Sequence, residues 1–245
     1  MNIGLLGFGV VGGGVWELAQ ENRALNVKKV LVRREAPSLG KAAVQDVEAI
    51  LRDTEIDTVV EVLGGLHPAY EWICRALAAG KDVVTANKAV ISAYYRELTA
   101  LARENGVALR CTAAVGGGIP WLVNLQRCRR VDTVTEVGGI MNGTTNFIMD
   151  AMARQGADFP AVLQRAQELG YAEADPSADI DGDDIRRKLT ISANIAFDAL
   201  LREEDIPAFG IRTVTGADVA DFRAHGFTCK LLACAQRTET GVAAY

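Results

Sequence analysis

The chain has little of what metal and nucleic-acid proteins rely on. Its two histidines, His67 and His225, lie far apart, and its five cysteines (Cys74, Cys111, Cys128, Cys229, Cys234) show no CxxC spacing. Neither pattern builds a zinc site, which needs clustered nitrogen and sulfur ligands. Several of the cysteines fall in apolar runs, as buried free thiols do in a reducing cytosol. Lys and Arg total 26 against 31 Asp and Glu, a net charge of −5, and there is no long basic run. That balance argues against a nucleic-acid partner. No apolar run reaches membrane-spanning length, so no membrane partner is expected. The N-terminus enters an apolar strand without a signal-peptide pattern, and a cytoplasmic location is expected. At 245 residues, one large domain or two small ones can bury a real core.

What is present starts at the first residues. Asn2 to Leu6 reads as a short strand, followed by Gly7-Phe8-Gly9-Val10-Val11-Gly12 and a helical stretch through Gln20. This is the GxGxxG fingerprint between a strand and a helix. Its first glycine turns the chain, its second lets backbone approach a pyrophosphate, and its third packs helix on strand. A diphosphate would then meet the positive end of the helix dipole. Further strands are expected at 27–32, 57–62, 82–85 and 107–112, with helices at 70–79 and 96–104. Strands alternating with helices imply a Rossmann-type, doubly wound parallel sheet. The second strand ends Val32-Arg33-Arg34, with Lys41 further on. Two guanidiniums at that point favour the 2′-phosphate of NADP, while Glu35 keeps NAD as an alternative.

The stretch from Gly170 to Lys188 holds six carboxylates: Glu173, Asp175, Asp179, Asp181, Asp183 and Asp184. A helix dipole needs only one or two, and six repel one another unless a cation sits among them. Asp184 and Lys188 are four apart, so on a helix they share one face and reach one small molecule. The plain alternative is a solvated acidic loop leading into a capped helix.

The fingerprint and four further segments together resemble homoserine dehydrogenase. The segments are Gly80–Lys88 (GKDVVTANK), Val115–Pro120 (VGGGIP), Met141–Ile148 (MNGTTNFI) and the acidic Gly170–Lys188 stretch. They occur in the family's order and cover essentially the whole chain. The resemblance implies NAD(P)H-dependent, reversible reduction of aspartate 4-semialdehyde to homoserine, on the route to threonine, methionine and isoleucine. It implies Lys188 as the acid/base lysine, and Glu173 and Asp184 as the carboxylates that hold the substrate's amino group. Lys88 resembles the second active-site lysine, placed between cofactor and substrate. Reducing an aldehyde builds negative charge on its oxygen, so a cationic proton donor belongs there, in agreement with the lysine. Asp181 and Asp183 are expected to be simply solvated.

Asn142-Gly143-Thr144 reads either as a strand-to-helix turn with Thr144 as cap or, by the resemblance, as a wall of the substrate and nicotinamide pocket. Gly116-Gly117-Gly118 reads either as a flexible turn or, by the resemblance, as a loop offering the carbonyls of Thr112, Val115, Gly117 and Ile119 to a monovalent cation, sodium. Thr112 stands where the family often carries a glutamate. His67 is read as a solvated or capping residue.

The expected organisation is an NAD(P)-binding domain over 1–130 and an α+β substrate and dimerisation domain over 131–245, giving a homodimer. In the second part a strand is expected at 133–141, helices at 144–154, 160–169 and 182–200, and a strand at 227–235. The resemblance implies further chain after Tyr245, so a C-terminally truncated member without an ACT domain is expected. The alternatives are an inactive fragment or nucleotide-binding module, or another Rossmann oxidoreductase of amino-acid metabolism. A semialdehyde dehydrogenase, one such enzyme, would need a nucleophilic cysteine.

Overall fold

The computed structural model describes residues 1–34 and 36–245. Glu35, the acid on which the NAD alternative rested, lies outside the described residues. The chain divides into two units, Met1–Val123 and Asn124–Tyr245.

The first unit carries strands β1 (Asn2–Leu6), β2 (Asn26–Leu31), β3 (Ala43–Val44), β4 (Thr58–Glu61), β5 (Asp82–Thr85) and β6 (Leu109–Arg110). They form one parallel sheet in the order β3-β2-β1-β4-β5-β6. Between them run helices α1 (Val10–Glu21), α2 (Glu48–Leu51), α3 (Ala69–Ala78) and α4 (Lys88–Glu104). Central strands of such a sheet are covered on both faces, which is why β4 reads Thr-Val-Val-Glu with every residue buried. Ile3, Leu5, Val30 and Val60 from three strands pack with Ala19 of α1. The chain runs outward in one direction from β1 to β2 and in the other from β4 to β5. A ligand crevice in such sheets opens where the order reverses, at the carboxyl ends of the strands. Two expectations shift here. The last strand is confined to Leu109–Arg110, and the two-residue β3 is too short to show a period in the sequence.

Helix α5 (Trp121–Cys128) carries the chain into the second unit. That unit holds an antiparallel sheet of β7 (Glu136–Gly139), β8 (Ala233–Thr238) and β9 (Gly241–Ala244), in that order. Its helices are α6 (Gly143–Gln155), α7 (Phe159–Glu168), α8 (Ser177–Ile180), α9 (Asp183–Phe197) and α10 (Gly216–Ala224). Ile148, Met149, Met152, Val162, Ile180 and Ile211 make its core. α9 packs on β7 and β8 and is buried along most of its length, so the polar groups it carries inward need partners.

Three expectations are corrected in this unit. The strand expected at 227–235 begins only at Ala233, because residues before it are held elsewhere: Lys230 Nζ donates to Asn146 Oδ1 on α6 at 2.8 Å. The strand expected at 133–141 is confined to Glu136–Gly139, and α10 falls on a stretch to which no element was assigned, although Thr215 and Asp218 form a capping box that marks its start. α9 stops at Phe197 because Asp198 takes the left-handed conformation, φ 56°.

Candidate active site

Each unit holds a cluster of the candidate residues. In the first unit a cavity of about 860 Å³ lies at the carboxyl ends of β1, β2 and β4. Gly7, Phe8 and Gly9 line it after β1, Arg33 and Arg34 after β2, and Val62 to Gly64 after β4. Gly7 has φ +106°, a conformation that side chains rarely adopt, and donates its N–H to Leu31 O at 3.3 Å. A Cβ on Gly12 would fall well inside contact of the Gly7 carbonyl oxygen, whereas one on Gly9 would meet nothing within 4 Å. The two glycines are therefore needed for different reasons. Gly12 lets α1 close on the β1 turn, and Gly9 leaves open the space above the helix N-terminus, where no side chain caps the first turn. Val10 and Val11 stand on that first turn, both exposed.

This difference predicts opposite results from two alanine substitutions. Gly12→Ala is expected to destabilise the first unit by about 1–3 kcal/mol, because backbone rather than a movable side chain blocks the methyl. Gly9→Ala is expected to keep the melting temperature and to weaken dinucleotide binding. Thermal unfolding and NADPH fluorescence titration of both variants check the pair, and equal melting temperatures would refute it.

Arg33 and Arg34 are exposed at the cavity wall, and Lys41 sits in the turn Pro37–Ala42. His67 also lines the cavity, with its side chain largely exposed, and pairs through Nδ1 with Glu71 Oε1 in the first turn of α3 at 2.7 Å. Gln45 and Trp72 line the cavity too and were not anticipated. Their only sequence signal is position, one just after β3 and one in the first turns of α3. Lys88 is the first residue of α4 and follows Asn87, whose Oδ1 accepts the Val90 N–H at 3.2 Å. The turn after β6 runs through a 3₁₀ segment, Thr112–Ala114, into Gly116 and Gly117, both with positive φ. There Thr112 O accepts the Val115 N–H and Ile119 O accepts the Trp121 N–H. Among the described residues, no group of three or more His, Cys, Asp or Glu could hold a metal ion. Burial pushes the Cys111 thiol up to about 11. It therefore stays protonated near neutral pH, which removes the cysteine nearest to that turn as a nucleophile.

In the second unit, the end of β7, the start of α6 and the first turns of α9 converge. Lys188 Nζ donates to Met141 O at 2.7 Å and lies 2.7 Å from Asp184 Oδ2. The same Oδ2 accepts from Asn142 Nδ2 at 2.8 Å. Asn142 Nδ2 also donates to Asp179 Oδ1 at 2.7 Å, and its Oδ1 accepts the Thr145 N–H at 2.8 Å. Asn142 therefore caps α6 and bridges two carboxylates at once. Asp184 is 5% exposed and the Lys188 side chain 18%, so the pair is held in a largely dry setting that still opens to solvent.

Thr144 is not the helix cap. Its hydroxyl donates to Tyr171 O at 2.7 Å, and Phe147 stacks on Tyr171 at 4.5 Å, which fastens the start of the acidic loop to α6. Gly143 is exposed at the first position of α6. Glu173 is exposed on the loop, and the structure does not bond its carboxylate to Lys188. Asp181 and Asp183 are not simply solvated: Asp181 binds Arg212 through both oxygens at 2.7 Å, and Asp183 pairs with Arg186 at 2.6 Å. Arg212 holds the Asp181 carboxyl below the usual carboxylate range, and the Ser177 hydroxyl and amide do the same for Asp175. Arg212, Arg186 and Lys188 thus set cations of the chain itself against three of the six acids, Asp181, Asp183 and Asp184.

The comparisons with known proteins agree with one another. The family model described as "Homoserine dehydrogenase, NAD binding domain" matches residues 7–112, and the one described as "Homoserine dehydrogenase" matches residues 120–245. A homoserine dehydrogenase of Synechocystis is 44% identical over 96% of this chain, and one of Pseudomonas aeruginosa is 40% identical over 98%. A crystal structure of a homoserine dehydrogenase from Thiobacillus denitrificans superposes with a TM-score of 0.92 at 40% identity over 99% of this chain. The chain spans 57% and 58% of the two curated relatives and 59% of the crystallised one.

Proposed function

The chain belongs to the homoserine dehydrogenase family, and on that premise we propose that it reduces aspartate 4-semialdehyde to homoserine with NADPH, reversibly. One observation carries the reading: an ammonium at Lys188, held at 2.7 Å by both a carboxylate and a carbonyl in a mostly buried setting. An ammonium has three N–H donors, and Met141 O and Asp184 Oδ2 engage two of them. The third is directed to the aldehyde oxygen. A dinucleotide held by Gly7 to Gly12 would supply the hydride to the aldehyde carbon. Negative charge develops on the oxygen, and Lys188 stabilises it and transfers its proton there, leaving a neutral amine beside Asp184. Solvent reaches the partly exposed amine and returns the proton. In the reverse direction the neutral amine takes the hydroxyl proton of homoserine.

The other residues position this donor or bind the ends of the reactants. Asp184 shares one oxygen between Lys188 and Asn142, so it aims the lysine first and adds to the field around the substrate's α-ammonium. Glu173, on the exposed loop, supplies a carboxylate for that ammonium. Asn142 and the Gly143-Thr144 start of α6 form the substrate wall. Lys88 is the second lysine, carried by the first unit. Gly7 to Gly12 hold the diphosphate, and Arg33 and Arg34 the 2′-phosphate, which makes NADP the cofactor and NAD the weaker substitute. A sodium ion would be held by the carbonyls of Thr112, Val115, Gly117 and Ile119. The fit is that a carbonyl has two lone pairs and that the hydrogen bonds to Thr112 O and Ile119 O use one on each. The ion's role would be to stiffen this turn. Exposed apolar side chains on the second unit, Val131, Phe209 and Phe227 among them, support a homodimer through that unit. The enzyme would act in the cytoplasm.

The direct test is NADPH oxidation by the purified chain with aspartate 4-semialdehyde, against acetaldehyde, which lacks the α-ammonium. Turnover with the first alone is expected, and equal rates would defeat the substrate assignment. A double Arg33→Ala, Arg34→Ala variant is expected to lose NADPH affinity by about tenfold or more, since each charge-assisted bond to phosphate is strong, while keeping its NADH affinity. Parallel titrations with the two dinucleotides check this, and equal losses for both would remove the arginines from 2′-phosphate binding.

A further inference from the structure

Glu61 ends β4 and is fully buried, in a strand whose other residues are apolar or small. A carboxylate there is costly unless donors meet it. Its Oε1 accepts the Leu63 N–H at 2.7 Å and Asn87 Nδ2 at 3.3 Å, and its Oε2 accepts the Thr85 hydroxyl at 2.6 Å. The Thr85 oxygen in turn accepts the Asn87 N–H at 2.9 Å, so the hydroxyl proton is committed to Glu61. Asn87 has no rotational choice left. Its Nδ2 also donates to Gly65 O at 2.8 Å, and its Oδ1 caps α4 through the Val90 N–H.

The two segments that meet at this carboxylate have separate tasks. One is the 62–65 turn, whose Val62, Leu63 and Gly64 line the dinucleotide cavity. The other is the 85–88 turn, which sets the first residue of α4, Lys88. Resting on the reaction proposed above, we propose that Glu61 is a positioning residue that locks the dinucleotide-lining turn and the Lys88 turn to each other. It acts through Leu63 on one side and through Thr85 and Asn87 on the other. An apolar residue would suit the strand equally well but could not make this link.

Three variants of the full chain test it: Glu61→Ala, Glu61→Gln and Thr85→Val, each confirmed as folded by circular dichroism at the assay temperature. Glu61→Ala is expected to weaken NADPH binding and to lower kcat together, each about tenfold or more, the scale on which small misplacements act. Glu61→Gln is expected to recover most of both losses. Its carbonyl can take the Leu63 and Asn87 donors, while the Thr85 hydroxyl turns to accept from the new amide. Thr85→Val removes the shorter arm toward Asn87 and leaves only the 3.3 Å Glu61–Asn87 bond on that side, so kcat should fall while NADPH affinity is kept. A folded Glu61→Ala protein with unchanged Kd and kcat overturns the proposal, and so does Thr85→Val weakening NADPH binding as much as Glu61→Ala. If Glu61→Ala does not fold, an unchanged kcat in Thr85→Val overturns it alone. If the unaltered chain does not oxidise NADPH, the reaction assignment fails separately, and hydrogen exchange decides the link. Faster exchange at 63–65 and 87–90 together in Glu61→Ala, with parent-like exchange in Glu61→Gln, upholds it, and a change in only one segment overturns it.

Discussion

Lys188→Ala is expected to lower NADPH oxidation by about 10²- to 10⁴-fold, the range of a lost general acid. The substitution removes the ammonium that Asp184 and Met141 hold ready. Asn142 is an amide already directed at Asp179 and Asp184. NADPH affinity, which the first unit supplies, should stay as it was. Lys188→Arg sharpens the test. A guanidinium keeps the positive charge and can still pair with Asp184, but it does not give up its proton in a protein. If Lys188 transfers a proton, the arginine variant should be nearly as impaired as the alanine one. If it acts by charge alone, the arginine variant should recover much of the rate. Steady-state rates with saturating NADPH separate these outcomes, and an alanine variant within a few-fold of the parent would end the assignment of Lys188 as the acid.

The parts of this arrangement that the sequence makes legible are those set by short spacing. The GxGxxG glycines act within six residues, and Asp184 and Lys188 meet across one helical turn. Contacts that close over long separations leave no such mark. Asn142 was read as one residue of a pocket wall, because the Asp179 and Asp184 it bridges lie 37 and 42 residues away. Asp181 was expected in solvent because its partner Arg212 is 31 residues on, in a loop without a period of its own. Glu61 had a visible signal that went unused. An acid closing a strand of buried residues, three positions before a glycine pair, is a buried carboxylate in need of donors, and the donors come from the next strand and turn. The β8 shift has the same origin. The 227–235 run is apolar enough for a strand, yet Lys230 is drawn to Asn146, 84 residues away.

Asp184→Ala is expected to destabilise the second unit by about 3–5 kcal/mol, the usual cost of leaving one member of a buried pair alone. For a unit of this size that lowers Tm by on the order of 10 °C. Two of the bonds lost are the carboxylate of the Lys188 ammonium and one acceptor of the Asn142 amide. A second variant separates them. Asp184→Leu combined with Lys188→Met replaces the pair by two apolar side chains one turn apart on α9, and buried ion pairs exchanged for apolar groups are often no less stable. The double variant should therefore regain most of the lost Tm while showing no turnover. Recovery of stability without activity would mean that the pair is retained for proton transfer, since the fold does equally well without it. A double variant as unstable as Asp184→Ala would instead assign the loss to the Asn142 bond, and so to the capping of α6. An Asp184→Ala protein that melts with the parent would contradict the buried pair itself.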